Sequence, residues 1–79
     1  MDIKFYEMFL GDGYSIAIKG VRQPSVAEAQ EFYDRTSKRV GADHSDEAHT
    51  VVKIEEITEY EVQNFFDTSH IDEWEVFGA

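Results

Sequence analysis

Residues 3–21, IKFYEMFLGDGYSIAIKGV, decide how this chain begins to fold. Two apolar runs flank Gly11-Asp12-Gly13, which is the composition of a β-hairpin turn. A two-residue Asp-Gly turn pairs Phe9 with Ile16 and sets Glu7 against Ile18. A three-residue loop with Gly13 in the left-handed conformation pairs Leu10 with Tyr14, Met8 with Ile16 and Tyr6 with Ile18. The second register is preferred, because it gathers one uninterrupted apolar set on one face. The opposite face then carries Ile3, Phe5, Phe9 and Ala17 with Glu7 and Lys19. That face is too apolar to be left simply in water, so either the chain or a partner covers it.

Downstream, PSVAEAQEFYDRTSKRVG (24–41) has the marks of a helix. Ser25 and Glu28 have capping-box spacing, Pro24 limits extension backwards, and Gly41 is a left-handed stop. Val26, Ala29, Phe32, Tyr33, Thr36 and Val40 recur at helical spacing. Glu31–Arg35 and Asp34–Lys38 are i,i+4 pairs, and Lys38 and Arg39 suit the negative end of the helix dipole. These roles account for most of the basic residues and leave no basic binding patch.

GADHSDEAHT (41–50) reads as a polar loop. TVVKIEEI (50–57) reads as a strand with Val52 and Ile54 inward and Lys53 and Glu55 outward. Thr58 and Glu61 repeat the capping-box spacing, so EYEVQNFFD (59–67) is a short helix with Val62, Phe65 and Phe66 inward and Tyr60 at the margin. IDEWEVFG (71–78) alternates as a last strand, with Trp74 and Val76 on one side and Glu73, Glu75 and Phe77 on the other. The expected order is ββαβαβ: one α+β domain over residues 1–79, with a mainly antiparallel sheet and the helices packed on one face.

The chain has 79 residues, no cysteine and a net charge of −10. Disulfides and thiolate metal sites are therefore not available to it. Eleven aromatic residues set it apart from a disordered acidic tail. There is no apolar run of membrane-span length and no signal-peptide pattern at the amino end, so a cytoplasmic location is expected. The charge is unevenly placed. Residues 1–40 hold six acids and six bases, whereas residues 41–79 hold eleven acids and only Lys53. Such an acidic half repels nucleic acid and anionic membrane and favours a basic partner, a cation or plain solubility.

His44, Asp46 and His49 could present donors to a cation, although their spacing matches no established metal motif. Ser69 and His70 are neighbours on an extended segment and are poorly placed to act together as nucleophile and base. No phosphate-cradling or nucleophile-elbow motif is present, so neither an enzyme nor a cofactor is expected. The carboxylates are the remaining signal. Glu59 and Glu61 have local explanations at a helix start. Glu55, Glu56, Asp67, Asp72, Glu73 and Glu75 have none, and Glu73 and Glu75 would lie ~6.6 Å apart on one strand face. A folded array of acids beside aromatic side chains presents to a basic protein what duplex DNA presents, a negative charge per ~1.7 Å. Trp74 or Phe77 would anchor such a contact if exposed.

Taken together, the hairpin MDIKFYEMFLGDGYSIAIKG, the helix PSVAEAQEFYDRTSKRVG and the acidic half ending IDEWEVFGA resemble the small acidic anti-CRISPR proteins of bacteriophages. The resemblance is one of size, charge and architecture, and no shared motif carries residues across. It implies a non-enzymatic inhibitor of a CRISPR–Cas effector, with a type I surveillance complex as target and DNA mimicry as mechanism. Two other readings stand beside it. One is a phage structural or assembly-adaptor protein binding through Ile3, Phe5 and Phe9. The other is a cation-binding module using His44, Asp46 and His49.

Overall fold

The computed structural model describes residues 2–36 and 46–79. In chain order these form β1 (Lys4–Leu10), β2 (Ser15–Gly20), α1 (Val26–Thr36), a 3-10 turn (Asp46–His49), β3 (Val51–Ile57), α2 (Glu59–Phe65), a second 3-10 turn (Ile71–Glu73) and β4 (Val76–Phe77). The domain is α+β in the ββαβαβ order.

The hairpin adopts the three-residue loop. Met8 lies opposite Ile16 and Tyr6 opposite Ile18, the Leu10 N–H donates to Tyr14 O at 2.7 Å, and Gly13 has φ +92°. Only the left-handed region closes this loop, and glycine reaches it without a Cβ clash. Tyr14 itself is exposed, its N–H donating to Asp12 Oδ1 at 3.1 Å.

The sheet order is β3-β1-β2-β4, with β1 antiparallel to both neighbours and β4 parallel to β2. Tyr6, Met8, Leu10, Ile18 and Val51 form the core with Ala29, Phe32 and Tyr33 of α1 and with Phe77. The Ser25–Glu28 capping box is present in both directions, at 3.1 and 3.2 Å. Burial of Tyr6 raises its phenol pKa, since the anion would lose its water; the nearby Glu56 adds to this and Lys4 opposes it. Residues 37–41, expected to finish the helix, lie outside the described residues.

Three expectations are corrected here. In β3 the inward residue is Val51, while Val52 is 55% exposed. The cause is a register shift opposite Phe9 and Leu10, which slips one residue past the ladder and reverses the alternation at that end.

The helices do not share a face. β2 and β3 are both antiparallel to β1, so β2–α1–β3 is a parallel crossover in one direction. β3–α2–β4 is a parallel crossover in the opposite direction. Right-handed crossovers running in opposite directions put their helices on opposite sides of a sheet. The packing agrees. Val62 of α2 is fully buried but outside the α1 cluster. Lys19 alternates with Ile18 and so points away from α1, and its Nζ donates to Ile71 O at 2.8 Å.

The last strand is also shorter than expected, since Ile71–Glu73 forms a 3-10 turn and only Val76–Phe77 pairs with β2. Glu73 and Glu75 therefore do not share a strand face. Gly20 permits the pairing that remains: a Cβ there would stand 3.0 Å from Phe77 Cβ.

Candidate protein-binding surface

The second half of the chain reaches back to bases in the first half. Glu56 lies 3.8 Å from Lys4 Nζ and Glu75 2.5 Å from Arg35 Nη1, while Glu55 takes Lys53 at 2.7 Å. Arg35 thus pairs with Glu75 rather than with the expected Glu31. These are exposed ion pairs, each contributing at most about 1 kcal/mol. Glu55 and Glu56 also have a structural use. β3 is an edge strand, and charged side chains on an edge discourage pairing with other chains.

Asp67 has a local purpose too. Its Oδ1 accepts from the Ser69 N–H at 3.0 Å and from Ser69 Oγ at 2.6 Å, closing the turn after α2. Those two hydrogen bonds hold its carboxyl below the usual aspartate range. Glu73 lies 3.2 Å from His70 Nδ1. Asp72 is exposed and makes no ion pair among the described residues.

Of the two proposed anchors, Phe77 is not available. It is 9% exposed, packs edge-to-face on Phe32 at 5.7 Å and carries Arg22 over its ring at 4.8 Å. Trp74 is half-buried and lines an open groove of about 460 Å³ with Ile16, Ile18, Phe32, Arg35 and Glu73.

Two aromatic residues outside the expected set are more exposed. Phe65, expected inward, is 75% exposed and Tyr60 is 72% exposed. α2 is only seven residues long, with a complete Thr58–Glu61 capping box and Phe66 already extended beyond its end. It buries Val62 alone. Asn64, between the two aromatics in sequence, donates to Tyr60 O at 2.6 Å. Alternating acid and aromatic residues in EEITEYEVQNFFD was the available signal for this surface. Nothing in the string distinguishes Phe65 from the half-buried Phe66 beside it.

From Glu55 to Glu75 the chain holds eight carboxylates and no Lys or Arg. Lys4, Lys53 and Arg35 reach three of them, so the segment keeps a net negative charge around Tyr60 and Phe65. Exposed aromatic residues are characteristic anchors of protein interfaces, and the sign of the surrounding charge selects the partner.

The candidate cation loop divides. His44 lies outside the described residues, while His49 is bonded through Nδ1 to the Tyr33 hydroxyl at 2.7 Å. Among the described residues no group of three or more ligating side chains comes together. On the alternative face, Phe5 and Phe9 are half-buried, Lys53 Nζ stands 5.2 Å from the centre of the Phe9 ring, and Ile3 is exposed. No helix among the described residues is long and apolar enough to cross a membrane. Comparisons with protein-family models, curated proteins and solved structures gave no match to this chain.

Proposed function

We propose that this chain is a non-catalytic binding domain that docks on a basic, nucleic-acid-handling protein and excludes nucleic acid from it. The observation that carries this reading is the pair Tyr60 and Phe65, both nearly three-quarters exposed or more, inside a stretch with eight carboxylates and no Lys or Arg. The acids speed encounter with a cationic cleft, and the aromatic rings give the complex its lifetime. A CRISPR–Cas effector of type I is the target that the anti-CRISPR resemblance implies, with inhibition by DNA mimicry. Docking through Ile3, Phe5 and Phe9 is the weaker alternative, since both phenyl rings are already half covered.

The test is a titration of the purified protein into a type I surveillance complex, followed by a mobility-shift assay with target DNA. The wild type should displace DNA, with affinity falling as salt rises. Tyr60→Ser with Phe65→Ser should abolish displacement, and Glu59→Lys with Asp72→Lys should weaken it and flatten the salt dependence. Glu75 is a poor choice for charge reversal, because it also holds Arg35. If the wild type displaces no DNA and binds no basic protein in a host lysate, the proposal fails.

A further inference from the structure

The free edge of β2 is a second surface, built from different residues. Leu10 bonds Tyr14 across the hairpin, so the β1-facing backbone groups of β2 belong to Ile16, Ile18 and Gly20. Those of Ser15, Ala17 and Lys19 face the other way. β4 takes up the edge only at Lys19 and Gly20. The outward N–H and C=O groups of Ser15 and Ala17 therefore have no strand partner among the described residues. They open on the groove whose far wall is Trp74 with Glu73 and whose floor includes Phe32.

The geometry points to β-augmentation: this groove accepts a short extended peptide that pairs with Ser15–Ile18 and continues the sheet in line with β4. Two outward donors and two outward acceptors at strand spacing specify an extended backbone as the occupant. Ser15–Ile18 spans ~13 Å, room for about four residues. Alternate side chains of the peptide meet different chemistry. One set lies toward Ile16, Ile18 and Phe32, which suits an aliphatic residue. The other set lies on the face of Ser15, Ala17 and Lys19, where Glu7 accepts from Ser15 Oγ at 2.6 Å, Lys19 is turned to Ile71 O, and Glu73 at the rim of the groove has no Lys or Arg partner; Arg35, on the Phe32 side, is held by Glu75. That face favours Lys or Arg and repels carboxylates. The occupant is therefore an extended segment of alternating aliphatic and basic residues.

The probe is a fluorescein-labelled nine-residue peptide of alternating Lys and Val, read by anisotropy and by amide hydrogen exchange of the full chain. Binding should slow exchange at Ser15 and Ala17 at least tenfold. An alternating Glu and Val peptide should not bind. A Lys and Val peptide N-methylated at every second residue keeps the charge but blocks one hydrogen-bonding edge, and should bind at least tenfold more weakly. Ala17→Pro removes one outward N–H without touching the β1 ladder and should weaken binding similarly; if it does not fold, the N-methylated peptide still decides. Equal affinity for the methylated peptide would mean simple charge attraction and would overturn the proposal. So would protection of Ser15 and Ala17 that grows with protein concentration alone, which would assign the edge to a second copy of the chain. Tyr60→Ser with Phe65→Ser should leave peptide binding unchanged, so this surface and the α2 surface fail or stand separately.

Discussion

Val62 and Phe65 occupy adjacent turns of α2, and the helical pattern treats them alike, yet their truncation should have very different effects. Val62 is fully buried. Val62→Ala removes two methyl groups' worth of burial, about 1.6 kcal/mol, and leaves a cavity that adds several tenths more. The better helix propensity of alanine returns about 0.5 kcal/mol, so the net loss is about 1.5 kcal/mol. In a domain of this size that lowers Tm by roughly 6–12 °C. Phe65 is 75% exposed, so only ~50 Å² of its ring lies in contact, worth about 1 kcal/mol. After the same helix gain, Phe65→Ala should cost about 0.5 kcal/mol and less than ~4 °C. Thermal unfolding followed by far-UV circular dichroism gives both numbers. Equal losses for the two variants would show that Phe65 is packed inside, and the proposed aromatic anchor would go with it.

Gly13→Ala has open space for its Cβ but must hold φ +92°, so it should destabilise by about 1 kcal/mol, read from the urea midpoint; no change would mean the loop has another route. Thr58→Ala removes the side-chain oxygen that accepts the Glu61 N–H at 3.1 Å and should cost about 1 kcal/mol, with α2 amides exchanging faster than those of β1. Glu28 is held at about 2 by its hydrogen bonds from Arg22 and then from Ser25. Its folded value lies below the unfolded one of 4.5, so its contribution is full above pH 4.5 and fades as pH falls toward 2. Arg22→Gln should therefore lower the urea midpoint at pH 6 more than at pH 2.5, and an equal effect at both would contradict that pairing.

Much of the fold was legible because local chemistry and long-range packing agree in it. The hairpin register followed from Gly13 and the alternation of Tyr6, Met8, Ile16 and Ile18, and both capping boxes lie where Ser25 and Thr58 place them. The departures come from tertiary geometry. Alternation points Val52 inward because it carries no mark of a bulge. The last strand shortened because Asp67 and Ser69 close a turn and Ile71–Glu73 then winds into 3-10 geometry, which the alternating string IDEWEVFG conceals. The segments suggest one face for both helices, because the parallel relation of β2, β3 and β4 is not written in any single one of them. The site is less legible for the same reason. A count of acids along the chain overlooks Lys4 and Arg35, which meet Glu56 and Glu75 only after folding. The helical repeat could not reveal that α2 stops at Phe65 and leaves its ring outside.

The central position of β1 has a kinetic consequence. One of its neighbours is the next strand in sequence, but the other, β3, begins only at Val51. The hairpin can close early, through a loop of three residues, whereas the β1–β3 ladder must wait for a closure more than ten times longer. In that interval the strand that ends at the heart of the sheet is an open edge, with Phe5, Glu7 and Phe9 offering their backbone to any other chain. Folding at high concentration should therefore go wrong first at this edge, and Glu7, placed midway along it, is the charge best positioned to prevent that.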